Sequence, residues 1–199
     1  MTTAPPRRRG RPGYDLESLL DVAVAVFNER GYDGSSMGDL AERLGIAKSA
    51  IYHHVPSKER LLQLSLDRAL DGLFAVADAV RLLDEPAVAR LEALVRGSVE
   101  VLMRELPHVT LLLRVRGNSA IERDALDRRR SFDRFVAGLV REAQRDGELR
   151  DDLPPTMTAH LLFGLVNSLV EWYRPATRRG GPSLPDAVCA LAFDGLRTR

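Results

Sequence analysis

The sequence predicts an all-α protein of about nine helices, with a small N-terminal helical unit and a larger C-terminal one. Three observations carry that prediction. Apolar residues recur at three- and four-residue spacing almost throughout from Asp15 onward. No segment shows the sustained apolar–polar alternation, bounded by turn pairs, that a half-buried strand requires. Pro86, Pro107, Gly117, Pro154, Pro155, Pro175, Pro182 and Pro185 cut the pattern into pieces of ordinary helix length.

Residues 1–13, MTTAPPRRRGRPG, are too poor in apolar side chains to order themselves and are expected to form a flexible basic arm. Arg7, Arg8, Arg9 and Arg11 stand on it with no acid. Such a cluster reads either as a solubilising tail or as an arm that reaches along nucleic acid. The arm lacks the apolar stretch of a secretory signal, and a lone Cys189 excludes a disulfide framework within the chain. A cytoplasmic location is expected.

Residues 14–60 are expected to hold three short helices. Leu16, Leu19, Leu20, Ala23 and Phe27 form the stripe of the first, and Gly31 follows as its C-cap. Ser36 and Asp39 make a capping-box-like start to the second, with Asp where Glu or Gln is usual. Leu40 and Leu44 give that helix its buried edge. Gly45 permits a sharp turn, and a third helix opens at Ala47 or Lys48 and ends near His54. Pro56 stops it, and Ser57 is placed to cap the next. Two short helices about a Gly turn make a helix-turn-helix, whose second helix enters the DNA major groove. A helical hairpin packed inside a core would use the same Leu-Gly-Ile turn.

Charge bears on the choice. The 29 basic and 28 acidic residues leave a net charge of +1, which as a sum argues against a nucleic-acid partner. The distribution argues for one. The sixteen residues from Arg43 to Lys58 contain no Asp or Glu, but include Arg43, Lys48, Lys58 and two histidines. An acid there would be repelled by a duplex carrying one phosphate charge per ~1.7 Å.

Residues 61–199 are expected to form the second unit, entered by a long helix from Ser57 to about Leu82. Leu91, Leu94, Val95, Ser98, Val99 and Leu102 trace one stripe. Phe132, Phe135, Val136, Leu139, Val140 and Ala143 trace another that stops near Gly147. Met157 to Tyr173 is apolar nearly all round, so it must be buried by its own domain or by a partner chain. The uncharged run from Leu153 to Val170 includes two prolines, His160 and Asn167, and falls short of the roughly 20 apolar residues that a membrane span needs.

No catalytic set is visible. His53, His54, His108 and His160 show no metal-ligand spacing with carboxylates, Asp151 and Asp152 precede a Pro-Pro loop, and no phosphate loop or nucleophile elbow occurs. No metal or cofactor is expected. An enzyme or ligand carrier built on a helical bundle is the competing class.

Residues 14–60 resemble the DNA-binding domain of the TetR family of bacterial transcriptional regulators. The resemblance rests on Phe27-Asn-Glu-Arg-Gly-Tyr32, Ser36-Met37, Leu40-Ala-Glu-Arg-Leu-Gly-Ile46 and Lys48-Ser-Ala-Ile-Tyr-His-His-Val-Pro-Ser-Lys58-Glu-Arg-Leu-Leu62. It implies that Tyr52 contacts a phosphate, and that Ser36 and Lys58 face phosphates from helix N-termini. Lys48, Ser49 and Ala50 would open the recognition helix, where Lys48 can pair with guanine O6/N7 and the Ala50 methyl can touch a thymine methyl. His53 is implied as a phosphate or base neighbour, and His54 as a packing residue at the helix end.

The same resemblance implies a second domain that binds a small-molecule effector and forms a homodimer on roughly palindromic operator DNA. Helices at Pro155–Tyr173 and Leu184–Leu196 would pair with their copies, with Gly164, Ser168, Ala187, Leu191 and Ala192 at the contact. The stretch Phe163 to Pro175 is similar to the corresponding helix of acyl-CoA-responsive members, which govern fatty-acid or sterol breakdown. An acyl-CoA thioester is thus one effector class, its phosphates met by arginines of 128–134. A hydrophobic drug-like effector is the other. Polar or aromatic residues within apolar stripes supply the candidate contacts: Met103, His108, Arg114, Asn118, Arg128, Phe132, Phe163, Asn167 and Trp172, with Arg116 and Tyr173 beside them. His108 also reads as a helix cap, Trp172 as part of the dimer seam, and the 128–134 run as a solvated face. Repression by release on ligand binding is the expected mode, with ligand-dependent activation as the alternative.

Overall fold

The computed structural model describes residues 15–175 and 183–197, and the described residues form nine α-helices and no strand. The arm arginines Arg7, Arg8, Arg9 and Arg11 lie outside the described residues. The chain divides into two compact units, residues 1–61 and 62–199.

The first unit holds α1 (Leu16–Arg30), α2 (Met37–Leu44), α3 (Lys48–Tyr52) and the first turn of α4 (Lys58–Arg81). Asp15 caps α1 by accepting the Ser18 N–H at 2.8 Å. Gly31, at φ +79°, ends it with an N–H bond to the Phe27 carbonyl. Leu19, Leu20, Ala23, Val24 and Phe27 are buried, whereas Leu16 of the expected stripe is exposed in the first turn. The capping box of α2 is complete with Asp: the Asp39 N–H donates to Ser36 Oγ, and the Ser36 N–H donates to Asp39 Oδ2 at 2.7 Å. Gly45 takes the left-handed conformation, φ +65°, and turns the chain from α2 into α3. Ile51 and Val55 are fully buried and anchor α3 from beneath.

The second unit is built around α5 (Ala87–Arg104), which packs on α6 (Leu106–Arg114), α7 (Ala120–Arg145), α8 (Pro155–Trp172) and α9 (Leu184–Asp194). Leu91, Leu94, Val95, Val99 and Leu102 of α5 are buried, as the 3.6-residue period requires. Gly97 lets α4 approach closely, since a Cβ there would stand 2.6 Å from Val76 Cγ1. Pro107 marks the α5–α6 boundary from the first turn of α6, where no N–H is needed, and Glu105 makes the break itself.

The helix expected to be apolar nearly all round has two environments. Ala159, Leu162, Phe163, Val166 and Leu169 of α8 are buried within the unit. Met157, Leu161, Gly164, Ser168 and Trp172 lie on an exposed face, with Leu161 61% and Trp172 57% accessible. Leu191 of α9 is 71% accessible.

Candidate nucleic-acid interface and effector cavity

The exposed side of α3 is built by subtraction. Ile51 and Val55 take the inner face, which leaves Lys48, Ser49, Tyr52 and His53 outside, with Ala50 half-buried. Tyr52 is 47% accessible, so its ring is not part of the core. With Ala47 as N-cap, α3 has no side-chain cap, and the Ala50 N–H donates to the Ala47 carbonyl at 2.9 Å.

Three residues placed on this surface by sequence are engaged inside the unit. Lys58 donates from Nζ to the carbonyls of Tyr32 and Ser35, both at 2.8 Å, and stands 4.2 Å from the Tyr32 ring centroid. Two of its three N–H donors are therefore committed to the loop between α1 and α2, and its first role is to fix that loop. Ser36 shares its hydroxyl and its N–H with Asp39, whose carboxylate also pairs with Arg30. The Ser36 hydroxyl and the Arg30 pairing hold the Asp39 carboxyl below the usual range, so an acid stands at the α2 N-terminus. Arg43, counted with the acid-free window, forks onto Glu29 at 3.0 and 2.8 Å. Its charge is balanced across α1 and α2, which no linear window could reveal. Among the described residues, Lys48 is the cation on the α3 surface with no acid partner.

In the second unit an apolar cavity of about 40 Å³ lies between α4, α5, α6, α7 and α8. Leu70, Leu102, Leu112, Phe132, Phe163 and Asn167 are among its lining residues. Phe132 stacks edge-on against both Phe74 and Phe163, at 6.1 and 5.2 Å between centroids. Of the effector candidates, Phe132, Phe163 and Asn167 thus meet at one place.

The other candidates do not line this cavity. His108 is buried with Nδ1 3.1 Å from the Ser65 carbonyl, so it ties α6 to α4. Arg128 bridges Asp67 and Asp71 of α4 at 2.7 and 2.5 Å, clasping α7 to α4. Asn118 and Arg116 belong to the turn before α7, where their N–H groups and that of Gly117 converge on Glu122 Oε2. Arg114 is exposed at the end of α6, Met103 is half-buried elsewhere on α5, and Trp172 points out from α8. Ser98 and Asp133 also line the cavity and were missed; Ser98 was visible as the one hydroxyl in the α5 stripe. Arg129, one of the arginines of 128–134, lines it too and donates to the Leu112 carbonyl at 3.3 Å.

An exposed acid-free helix after a Gly turn, joined by a long α4 to a helical unit with its own cavity, defines a ligand-responsive helix-turn-helix regulator. Residues 19–64 match the model described as bacterial regulatory proteins, tetR family, and residues 84–196 match tetracyclin repressor-like, C-terminal domain. The chain belongs to the TetR family of transcriptional regulators and is not an enzyme. It is 30% identical over 194 residues to the HTH-type transcriptional repressor KstR2 of Rhodococcus jostii, spanning 94% of this chain and 93% of that one. The crystal structure of SCO3833, a TetR-family member from Streptomyces coelicolor, matches with a TM-score of 0.82 and 51% identity over 93% of this chain and 94% of that one. AibR, solved in complex with isovaleryl coenzyme A and operator DNA, matches with a TM-score of 0.74 and 25% identity over 89% of this chain and 97% of that one. Among the described residues no helix is long and apolar enough to cross a membrane.

Proposed function

We propose that the chain is a cytoplasmic homodimeric repressor that holds a palindromic operator and releases it when an acyl-CoA-type effector enters the second unit. The observation that carries this reading is the position of the cavity against α4. Leu70 and Leu73 of α4 line it, and the same helix begins at Lys58, in the DNA-binding unit. About 40 Å³ has room for no more than a few waters. An acyl group must therefore part α4 from the helices around the cavity, and α4 is held to α7 by Arg128–Asp67, to α6 by His108–Ser65 and to the α5–α6 junction by Arg68–Glu105.

Occupancy thus favours a conformer with a displaced α4, and repression is relieved by population shift. A complete switch, from 99:1 to 1:99, requires about 5.5 kcal/mol of differential affinity. The likeness to AibR bound to isovaleryl coenzyme A supports the ligand class. The exposed apolar faces of α8 and α9 support a two-chain assembly, with Gly164, Ser168, Ala187, Leu191 and Ala192 at or beside the seam. Titration of the full chain against its own upstream DNA, followed by fluorescence anisotropy, tests the reading. Saturable binding that isovaleryl-CoA reverses is expected, and Lys48→Ala and Tyr52→Ala each weaken it. Affinity unchanged in both variants removes α3 from the interface.

A further inference from the structure

The seven arginines of α7 do not share one fate, and the two that differ converge on an open groove. Arg123 and Arg129 donate to backbone carbonyls of Gly117 and Leu112. Arg128, Arg130 and Arg145 pair with Asp67 and Asp71, with Asp127, and with Asp146. Arg134 has only the Ser131 hydroxyl, at 2.8 Å, and Arg141 has no partner among the described residues. These two line a groove of about 460 Å³ between α7 and α8, together with Arg130, Asp133, Thr156 and His160. Asp133 also lines the apolar cavity, so groove and cavity adjoin at that residue.

From this arrangement we infer that the groove is an anion site for the phosphates of a nucleotide-linked thioester whose acyl end occupies the cavity. The inference rests on the effector class proposed above and assigns that effector's polar end to named residues. The order of chemistry along the path matches such a molecule. The cavity between Phe132 and Phe163 takes an apolar head. Asp133 offers carboxylate acceptors at the junction, where the amide N–H groups of a pantetheine arm would pass. Arg134 and Arg141 then present guanidinium forks without a carboxylate of their own, beside the Thr156 hydroxyl and the His160 imidazole. Guanidinium forks match phosphate geometry bidentately, and an unpaired pair of them gains most from a dianion. Asp133 repels an anion from the cavity end and so sets the direction in which the ligand lies.

The test is isothermal titration of the full chain with three probes: coenzyme A without an acyl group, isovaleryl-CoA, and the isovaleryl thioester of N-acetylcysteamine, which lacks phosphates. Coenzyme A is expected to bind wild type in a salt-sensitive way. The double variant Arg134→Gln, Arg141→Gln is expected to weaken coenzyme A and isovaleryl-CoA by about tenfold or more. Its affinity for the N-acetylcysteamine thioester stays at the wild-type value, which reports an intact fold and cavity. Failure of wild type to bind coenzyme A, or equal affinity in the double variant, overturns the groove assignment. If coenzyme A binds through Arg134 and Arg141 yet no thioester releases DNA, the groove stands and the proposed effector control fails.

Discussion

Leu191→Glu is expected to separate the protomers of the proposed dimer without unfolding them. Leu191 is 71% accessible within one chain, so it contributes little to the stability of its own unit. Burying a whole leucine side chain is worth about 1.5–3 kcal/mol, and the accessible share of Leu191 scales this to about 1–2 kcal/mol per protomer. A twofold interface uses the residue twice, which makes the loss about 2–4 kcal/mol for the pair. At about 1.4 kcal/mol per decade, the dimer dissociation constant rises on the order of 30- to 700-fold. The introduced carboxylates raise it further, because they are drawn out of water without a counter-charge. Sedimentation velocity across a dilution series reads the dissociation constant, and a thermal melt of the monomeric variant reads folding. Leu161→Glu, on α8, serves as an independent probe of the same seam, at 61% accessible. A dimer constant unmoved by both substitutions refutes the placement of the interface on α8 and α9.

Three further outcomes follow from the geometry. Lys58→Met leaves the Tyr32 and Ser35 carbonyls without their charged donor. It should lower stability by about 2 kcal/mol while keeping the salt slope of DNA binding, whereas loss of a phosphate contact would cut that slope by about one. Gly97→Ala places a methyl 2.6 Å from Val76 Cγ1. The overpacking should cost about 1–3 kcal/mol in chemical denaturation, and an unchanged midpoint would mean that α4 and α5 separate freely. The Asp39 carboxyl is held low chiefly by the Ser36 hydroxyl, then by the Ser36 N–H and Arg30. A depressed native pKa stabilises above the unfolded value, near 4, and that stability is lost as pH falls through the native one. The stability gap between wild type and Asp39→Asn should therefore close below about pH 4, and a gap constant with pH would exclude the cap as its source.

Much of this molecule is legible one residue at a time. Ser36, Gly31 and Gly45 mark helix ends because caps act on backbone groups within four residues. Ile51 and the exposed Lys48 and Tyr52 sort themselves by helical period, so the α3 surface is readable in the same way. The effector contacts are not. His108 and Arg128 look like ligand groups in an apolar stripe, yet one meets Ser65 and the other Asp67 and Asp71 from 43 to 61 positions away. Arg134 and Arg141 look no different from their paired neighbours until the acids around them are located in space.

The division follows the range of the forces. Sequence alone determined the all-α class, the order of helices, the helix-turn-helix and the family, because periodicity, capping and turn chemistry are local along the chain. Only the tertiary structure decided which charges are spent. Arg43 on Glu29 and Arg128 on two aspartates are balanced by acids that folding brings near, and Lys58 keeps its charge but is held by two backbone carbonyls. Lys48, Arg134 and Arg141 keep charges uncompensated among the described residues. A near-neutral sum of charges therefore says little about this protein, since folding cancels some in pairs and leaves others at the surfaces where DNA and effector are proposed to bind.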